Sequence, residues 1–538
     1  MLGWKRNPRI DELVIIDDFL RGSENGLPEL WQNRKFLREF FGTAASRLGW
    51  KIREVCSSSQ GGDIPVAEIM RAHGLPQSPD GWAAACVLDL DTAAEWLGCL
   101  DLPAASLVMG WGLSPAIMKY LDRRGIAFID VELDAIRFTR DLHLVMRTND
   151  KGIQREMERL RIDDEKFWSA AAGIRAHYAR RGQSYIIRQD LNVGMFAGQL
   201  PIDLAMVKGG RLAKPSDYVE EIASWARQVD LLAICPHPAQ ADSGHLHGLM
   251  QRIPNAVLVT NNSYSMLCAE NLAFVGAMSS GLLKEAEYLC RGDVRRLMVD
   301  DRNNWKNLPE NCSPWIPVEL AVASAETLMR FSRARQNIWY HALPDIFGRQ
   351  KSEFPEDMLN QIFGYRWGLN PASEGLPKLP VLKPGGRMLF SLGGDGSVFG
   401  ILGRGWNCLE SWGVWSSESY ASLIIPLEFS NENSSAMGLK FSLFGRAYVP
   451  ENTVPPVITI FVNGAECDIV SEDNCEIEWS VHLDEDSIRR RLLVVCVNVK
   501  GALRQCDLGG DPNDLRSFGV GLRSVALDEA VPADHQPV

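Results

Sequence analysis

The sequence lacks the short motifs that mark common nucleotide, zinc and hydrolase sites. Its 12 cysteines are scattered singly, without a CxxC pair or zinc-type spacing, which argues against a disulfide scaffold and favours a reducing compartment. No P-loop, GxGxxG fingerprint or GxSxG elbow is present. A nucleotide site in this chain would have to be built from residues outside those motifs.

Long apolar runs and excess positive charge are also missing. No stretch of about eighteen apolar residues suggests a transmembrane helix, and the opening MLGWKRNPRIDELVIIDD has no apolar core long enough for a signal peptide. The net charge of −12 gives no electrostatic support for nucleic-acid binding. We expect a cytoplasmic protein. If its substrate is membrane-bound, we expect it to associate peripherally with the inner face of the cytoplasmic membrane rather than to span the bilayer.

A chain of 538 residues is long enough for about three domains. Residues 1–150 alternate short apolar runs with helical patterns, which favours a doubly wound α/β domain with a parallel sheet. The predicted strands lie at 13–16, 85–90 and 126–134 and at the start of 106–115, which continues into a turn and a Pro-led helix.

A second α/β series follows residues 151–182, a charged stretch whose helical period predicts one inter-domain helix. Its predicted strands lie at 193–198, 231–235, 256–260 and 272–281, and a helix at 216–228 is expected to begin with Ser216 as N-cap. A helical stretch at about 317–343 is expected to pack back on the first domain. The predicted architecture is two Rossmann-like domains, over 1–150 and 151–345, that face a cleft.

The C-terminal part of the sequence changes from an alternating α/β pattern to an all-β pattern. Residues 346–382 are rich in Pro, Gly and Asn and predict a linker. Residues 383–530 contain strand-like runs and an Asn463-Gly464 hairpin signal, so an antiparallel β-sandwich is predicted. Residues 531–538 are interpreted as a flexible tail.

The apolar run Leu231–Cys235 ends abruptly in Pro236-His237-Pro238. In an open parallel sheet, ligands bind at the carboxyl ends of the strands. His237 is therefore a candidate donor to an anionic oxygen, and a loop histidine bonded to a nearby carbonyl is the alternative.

Serine clusters follow the next two predicted strands. Ser263 and Ser265, with Tyr264 between them, follow one strand, and Ser279 and Ser280 follow the other. Hydroxyl and backbone N–H groups at helix N-termini form anion sites, although plain N-capping explains each cluster alone. Glu285, one turn into the last helix, could accept hydrogen bonds from ribose or lie on the surface.

A group of acids ends the strand at 126–134. Asp130, Glu132 and Asp134 alternate, which places them on one face of the strand, where crowded carboxylates suit general base catalysis. The nearby cations Arg137, Arg140 and His143 suit an acidic sugar or a phosphate. A salt-bridged helix start is the alternative interpretation for these groups.

Asp203 follows another strand, with Lys208 and Arg211 close behind. A carboxylate that faces a cleft could act as a nucleophile, and helix capping is its alternative role. Asp242, His245 and His247 supply too few ligands for a convincing metal site, so no metal and no cofactor are expected.

The ordered set GIAFIDVELDAIRFTRDLHLVMRTND, FAGQLPID, CPHP, NNSYSML and SSGLLKEAEYL resembles the bacterial Kdo transferases of capsule and O-antigen assembly, over roughly residues 10–345. Those enzymes have the GT-B fold, with a His-Pro motif on the nucleotide-binding domain and acids on the facing domain. The resemblance implies retaining transfer of Kdo from CMP-β-Kdo to a growing surface polysaccharide, without a metal. Where capsule-type enzymes have Glu-Asp-Gly, this chain has Asp-Val-Glu-Leu-Asp, so the choice between Asp130 and Glu132 stays open.

The resemblance also implies roles for individual residues. Asp203 is the candidate nucleophile of a double displacement, Glu132 or Asp130 is the acid/base, and His237 contacts the CMP phosphate. The first domain is the acceptor side. The remaining residues assigned to the donor site are Pro238, Ser263, Ser265, Ser279, Ser280, Glu285, Gln199, Lys208 and Arg137.

The C-terminal module resembles β-sandwiches appended to some glycosyltransferases. Trp406, Trp412 and Trp415 of its GWNCLESWGVWSS stretch could stack on sugar rings or pack in the core. Two other functions remain open. One is transfer of another CMP-nonulosonic acid or nucleotide sugar, and the other is a non-catalytic glycan-binding scaffold.

Overall fold

The structure is a computed structural model of the chain. It describes residues 9–22, 27, 31–180, 185–238, 246, 249, 252–259, 262–298, 308–336, 357–363, 380–391, 398, 401–403, 405–429, 438–451, 453–473, 476–504 and 517–529. The stretch Asp242, His245 and His247, most of the predicted linker and the predicted tail lie outside these residues.

The first α/β unit is built on a six-stranded sheet whose order is β13-β5-β4-β3-β1-β2. Its strands are β1 (Glu12–Asp17), β2 (Lys51–Val55), β3 (Ser106–Trp111), β4 (Ala127–Leu133), β5 (Leu144–Thr148) and β13 (Ile316–Val318). Strands β1 to β4 run parallel, and β5 is antiparallel to β4. Nearly all residues of β1 and β3 are buried, as expected when both faces of a parallel sheet are covered.

Short helices cover the two faces of this sheet. They are α1 (Trp31–Leu37), which a π-helical turn (Arg38–Gly42) joins to α2 (Thr43–Arg47), then α3 (Val66–Ala72), α4 (Pro79–Ala85) and α5 (Pro115–Arg123). Short 3-10 turns lie at Ser58–Gln60, Leu90–Trp96 and Gly98–Leu100. Two buried clusters, one on each face, make up the core of this unit.

The second α/β unit has a five-stranded sheet whose order is β10-β9-β6-β11-β12, with all neighbours parallel. Its strands are β6 (Val193–Ala197), β9 (Leu231–Cys235), β10 (Ala256–Leu258), β11 (Leu272–Ala277) and β12 (Asp293–Arg296), and a small hairpin pairs β7 (Val207–Lys208) with β8 (Arg211–Leu212). Its helices are α7 (Asp164–Arg180), α8 (Val219–Ala226), α9 (Ser263–Leu267) and α10 (Leu282–Leu289), with 3-10 turns at Leu204–Met206 and Pro215–Tyr218. The preceding helix, α6 (Lys151–Arg159), buries Ile153 and Met157 in the core of the first unit.

The chain then returns to the first unit. β13 pairs antiparallel with β5, a 3-10 turn (Leu320–Ala323) follows, and α11 (Ala325–Arg335) packs there. Ser332 Oγ accepts from the Ile10 N–H at 2.9 Å, and Arg335 Nη1 donates to the Ala104 carbonyl at 2.7 Å. The prediction that this stretch packs back on the first unit is confirmed, and the short helix α12 (Met358–Phe363) joins the same core.

The C-terminal unit consists of antiparallel sheets. The larger sheet has the order β15-β16-β26-β18-β22-β21, with β14 also paired to β26, and the smaller has the order β17-β23-β19-β20. The strands are β14 (Gly386–Leu389), β15 (Trp406–Leu409), β16 (Val414–Ser416), β17 (Tyr420–Pro426), β18 (Leu439–Ala447), β19 (Val457–Val462), β20 (Ala465–Glu466), β21 (Asp468–Asp473), β22 (Glu476–His482), β23 (Leu492–Lys500), β24 (Leu503–Arg504), β25 (Ser517–Phe518) and β26 (Val520–Glu529). A short helix, α13 (Glu485–Arg490), precedes β23.

Residues from both sheets share one buried cluster, so the C-terminal unit is a sandwich of antiparallel sheets, as the sequence predicts. The predicted turn is also present. Asn463 and Gly464 both have positive φ, 48° and 89°, which favours Asn-Gly in a two-residue hairpin.

Three local predictions are wrong. Residues 85–90 are not a strand, because α4 runs through Ala85 and a turn and a 3-10 helix follow it. Ser216 is not an N-cap, since Lys214 occupies that position and its N–H donates to Asp217 Oδ2 at 2.9 Å. The stretch 151–182 forms two helices, α6 and α7, rather than one.

Candidate functional site

The predicted site residues of the second unit lie at neighbouring strand ends. β9, β6 and β11 are adjacent and parallel, and they lead into His237, Gln199 and Ser279 respectively. Because carboxyl ends of parallel strands share one edge of the sheet, residues that lie far apart in the sequence meet there.

The loop after β4 of the first unit lies against the same region. Asp134 Oδ1 pairs with Lys284 Nζ of α10 at 3.1 Å, and a Cβ on Gly281 would lie 3.0 Å from Ala135 Cβ. The carboxyl end of β4 and the helix that follows β11 are therefore in direct contact. The junction of the two α/β units is where the candidate residues gather.

His237, Arg137 and Asp203 form the central group, which we call the donor cluster. Burial lowers the pKa of His237 from its usual 6.5, the nearby Arg137 charge lowers it further, and Asp203 raises it. His237 is half-buried, and the lowered pKa keeps its imidazole mainly neutral at pH 7. A neutral imidazole with one N–H beside a guanidinium can bind an anionic oxygen by hydrogen bond and charge.

Asp203 has a capping role, as the sequence allowed. Its Oδ1 accepts from the Ala205 N–H at 2.9 Å and so caps the 3-10 turn Leu204–Met206. Leu204 and Val207, just beyond it, are buried in the core of the first unit. These contacts fix the Asp203 backbone at the junction of the units.

Gln199 and Ser279 stabilise the turn that follows Asp203 through buried hydrogen bonds. Gln199 Oε1 accepts from the Ser279 N–H at 2.7 Å, and Ser279 Oγ donates to the Ala205 carbonyl at 2.7 Å. Both side chains are buried. Their hydrogen bonds are used within the protein, so in this structure they position the turn that carries Asp203.

Glu285 is buried and joins the two units. Its Oε1 accepts from the Tyr264 hydroxyl at 2.6 Å and from the Arg137 N–H at 2.7 Å. Burial raises the pKa of Glu285 to about 7, while the Tyr264 hydroxyl and Arg137 oppose the rise. The carboxylate therefore fixes the backbone of Arg137, whose side chain belongs to the donor cluster.

The other serines differ in what they offer. Ser265 is buried and its Oγ donates to the Asn262 carbonyl at 2.7 Å. Ser263 and Ser280 are partly exposed, and Ser280 Oγ accepts from the Leu282 N–H at 3.3 Å as α10 begins. Of the four, Ser263 and Ser280 retain surface from which a ligand could be contacted.

The acids of β4 have separate environments. Asp130 is fully buried, pairs with Arg147 Nη2 at 2.8 Å and accepts from the Leu113 N–H at 2.8 Å. Glu132 is half-buried, and its Oε1 lies 3.5 Å from where a Cβ on Gly112 would be. Asp130 thus holds the turn after β3, and Glu132 is the better placed of the two for contact with a ligand.

The remaining predicted residues are exposed, with the exception of His143. Lys208 and Pro238 are exposed, and Lys208 Nζ donates to the Tyr218 hydroxyl at 3.0 Å. Arg140 and Arg211 are exposed as well. His143 packs edge-on against Phe167, and burial lowers its pKa.

The tryptophans of the C-terminal unit mainly serve packing. Trp415 is buried and contacts the Trp412 and Tyr448 rings. The Trp406 Nε1 donates to the Ser422 carbonyl at 2.7 Å. The Arg446 guanidinium lies 3.8 Å from the Trp412 ring centroid, so that ring already carries a stacked partner.

Within the described ranges, no group of three His, Cys, Asp or Glu side chains is arranged to hold a metal ion. In the same part of the chain, no helix combines the length and apolarity needed to cross a bilayer.

Two structural partners were not assigned roles from the sequence. Tyr264 lies between the predicted site residues Ser263 and Ser265, and its hydroxyl donates a hydrogen bond to Glu285. Lys284 reaches Asp134 across the junction. Their positions depend on the packing of one unit on the other, which no local pattern encodes.

No family model matches the chain, and no curated protein matches it by sequence. Among the solved structures that match is the β-Kdo 2,7-transferase KpsC of Thermosulfurimonas dismutans. It is 14% identical, with a TM-score of 0.29, over 60% of this chain and 90% of that chain.

Proposed function

We propose that this protein is a glycosyltransferase with a GT-B arrangement, which transfers Kdo from CMP-β-Kdo to a growing bacterial surface polysaccharide. The observation that carries the proposal is the donor cluster. Arg137 from the first unit and Asp203 and His237 from the second lie close enough for both charges to act on the His237 pKa. The ordered motifs that resemble Kdo transferases supply these same three residues.

The cluster suits the departure of a nucleotide phosphate. When the bond between the sugar's anomeric carbon and the CMP oxygen breaks, negative charge grows on the phosphate. The His237 N–H and the Arg137 guanidinium would bind that charge, and electrostatic groups fixed in advance are effective at such positions. In this proposal the protein supplies the stabilising groups, and no metal or cofactor is required.

Asp203 is the proposed nucleophile of a retaining double displacement. Its carboxylate forms a bond to the anomeric carbon as CMP leaves, and the acceptor hydroxyl oxygen later displaces Asp203 from that carbon. Glu132 takes the acceptor's proton in the second step. Both transition states resemble an oxocarbenium ion, which a nearby carboxylate stabilises.

The cellular setting follows from this chemistry. A CMP-sugar donor and a lipid-linked or free oligosaccharide acceptor would meet the enzyme in the cytoplasm, at the inner face of the cytoplasmic membrane. Nucleic acid is not a proposed partner.

The proposal is tested by release of CMP. The purified chain is mixed with CMP-Kdo and oligosaccharide acceptors, and CMP and product are quantified by chromatography and mass spectrometry. We expect acceptor-dependent CMP release, with loss of CMP affinity in His237→Ala by calorimetry. If CMP is released from another CMP-sugar and not from CMP-Kdo, that other sugar nucleotide is the donor. Glycan binding without any CMP release would establish a non-catalytic scaffold instead.

A further inference from the structure

The larger sheet of the C-terminal unit has an outer face that the donor chemistry does not use. The smaller sheet of the sandwich lies against the second α/β unit, because Tyr420 and Ile424 of β17 and Val494 of β23 are buried in the core of that unit. The inner faces of the two sheets share their own buried cluster. The outer face of the larger sheet therefore points away from the second α/β unit.

Two exposed arginines on this face lie over aromatic rings. The Arg387 guanidinium of β14 lies 4.5 Å from the Phe444 ring centroid, and the Arg446 guanidinium of β18 lies 3.8 Å from the Trp412 ring centroid. Arg387 Nε and Nη2 also donate to Ser524 Oγ at 3.0 and 2.7 Å. Both arginines are exposed to solvent. We call Arg387, Phe444, Arg446 and Trp412 the arginine–aromatic surface.

Strand pairing places the two arginine–ring stacks side by side over β26. Phe444 pairs with Ser524 of β26, and Arg446 pairs with Gly521 of the same strand. Gly521 faces outward, because its two neighbours along β26 are buried in the sandwich core and successive residues of a strand alternate between faces. A Cβ on Gly521 would overlap the Trp412 ring, so glycine at this position lets the ring lie directly over the sheet.

Neither guanidinium is neutralised within the described part of the chain. The hydrogen bonds of Arg387 go to a hydroxyl group, and Arg446 has ring contacts alone. Arg523 of the same sheet differs, because it donates to the carboxylate of Glu476. Arg387 and Arg446 are thus fixed by aromatic contacts, and their charges remain available to a ligand.

The chemistry of these groups selects an anionic ligand. A guanidinium packed over a ring keeps the N–H groups along its edge, and a carboxylate can accept two of them at once. Packing on a ring also restricts the side chain in advance, which reduces the entropy lost when a ligand binds. The neighbouring acid Glu410 is already occupied, since its Oε2 accepts from Trp412 Nε1 at 2.7 Å.

A carboxylated glycan fits this surface better than an anionic membrane does. The chain has a net charge of −12, and a flat bilayer would also meet acids of β22 such as Glu476 and Glu478, which repel an anionic surface. A single polysaccharide strand is narrow enough to contact the two arginines and avoid those acids. Kdo carries a carboxylate on each residue, so it supplies the group that the arginines bind.

We propose that the arginine–aromatic surface binds carboxylate groups of the acidic polysaccharide that the enzyme extends. The identification of this polysaccharide as acceptor and product rests on the proposed transferase function. The binding itself is a property of the C-terminal unit, separate from the donor cluster. A growing chain held there stays on the enzyme between transfers, which raises its effective concentration at the donor cluster.

The test uses the full chain, an oligosaccharide that contains Kdo, and the same oligosaccharide after its carboxylates have been reduced to hydroxymethyl groups. Binding is measured by calorimetry and saturation-transfer NMR on wild type, Arg387→Gln and Arg446→Gln, and thermal melts show that each variant is folded. Arg489→Gln is the matched control, because Arg489 is an exposed arginine of α13 in the same unit and pairs with Asp486. Vesicles that contain phosphatidylglycerol test a membrane as the alternative partner.

We expect the acidic oligosaccharide to bind wild type and Arg489→Gln equally. Binding to Arg387→Gln and Arg446→Gln should be at least about tenfold weaker, as loss of a charge-assisted hydrogen bond predicts. The reduced oligosaccharide should bind all four proteins with the same low affinity. CMP affinity and CMP release should also be the same in all four proteins.

Three results would overturn the inference. They are no binding of the acidic oligosaccharide, unchanged binding by both surface variants, and vesicle binding that these variants lose while the oligosaccharide does not bind. The last result would make the surface a membrane contact. CMP release is read separately, so its absence would remove the transferase proposal and leave the glycan-binding result to be judged alone.

Discussion

At the scale of single residues, the site combines side chains with structural and proposed chemical roles. Asp203 caps a turn through Oδ1 and is also the proposed nucleophile. Gln199 and Ser279, assigned to the donor from the sequence, instead hold that turn through buried hydrogen bonds. Sequence spacing identified polar residues at strand ends, but only the packed structure shows which atoms are already occupied.

Two substitutions separate the roles of Asp203. Asp203→Asn keeps an oxygen to cap Ala205 and should leave the free energy of unfolding nearly unchanged, while transfer falls to background because an amide is a poor nucleophile. Asp203→Ala should lose transfer and also about 1 kcal/mol of stability, since the cap is lost. Urea unfolding and CMP-release rates measure both effects, and substantial turnover by the Asn variant would remove Asp203 as nucleophile.

Glu285 predicts a defined dependence of stability on pH. Its pKa is about 7 in the folded protein against 4.5 as the ordinary value, so the unfolded chain loses its proton first as pH rises. The loss in free energy of unfolding caused by Glu285 is absent below about pH 4.5, grows between about pH 4.5 and 7, and is complete above about pH 7.

Glu285→Gln should therefore match wild type at pH 4 and be more stable at pH 8, by up to about 3 kcal/mol. Glu287→Gln on the same helix is the control, because Glu287 is exposed, and it should show no such trend. Denaturant melts at several pH values give the comparison. Equal stability of wild type and Glu285→Gln at every pH would contradict the assigned environment.

At the scale of elements, strand β4 carries two acids with different surroundings. Asp130 is neutralised by Arg147, which itself stacks 4.2 Å from the Trp315 ring centroid. Glu132, two residues further along the strand, is half-buried near the β3 turn. The alternation of these acids along the sequence predicts that they share one face of β4. It does not predict that Arg147 of β5 pairs with Asp130.

The two acids should respond differently to loss of charge. Asp130→Asn leaves Arg147 buried without its counter-charge and should cost about 3–5 kcal/mol of stability. Glu132→Gln should fold almost normally and lose at least about a hundredfold in transfer rate, as expected for a missing general base. Thermal unfolding measures the stability of both variants, and initial rates measure their transfer activity. A fully active Glu132→Gln variant would show that Glu132 is not the acid/base.

The elements that were predicted well are those with strong local signals. Buried strands such as β1, β6, β9 and β11 are continuous apolar runs that end in polar residues, and the Asn463-Gly464 hairpin has turn chemistry of its own. The predicted strand at 85–90 is wrong because this short apolar run is buried at the end of a helix. Periodicity over six residues does not distinguish a buried strand from a buried helix end. Strand β2 was missed because its residues are mostly exposed.

At the scale of the whole molecule, the C-terminal unit shares its core with the second α/β unit. Tyr420, Ile424 and Val494 are buried in the same cluster as β9 and β10. Arg188 Nη1 donates to the carbonyls of Leu427 and Arg491 at 3.2 and 3.3 Å. The sandwich is therefore a structural extension of the second unit along its β10 edge.

This shared core predicts coupled unfolding. Ile424→Ala leaves a cavity between the two units and should cost about 2–4 kcal/mol, with faster hydrogen exchange in both β17 and β10. Ile469→Ala is the control, because Ile469 is 59% exposed, and it should change neither. A change confined to β17 would show that the units are energetically independent.

The central claim is that the junction of the α/β units binds a CMP-activated sugar through the donor cluster. The most direct measurement is a crystal structure with CMP bound. We expect the phosphate to contact His237 and Arg137, with Asp203 facing the position of the sugar's anomeric carbon. CMP bound away from this junction, or a phosphate that touches neither cation, would contradict it.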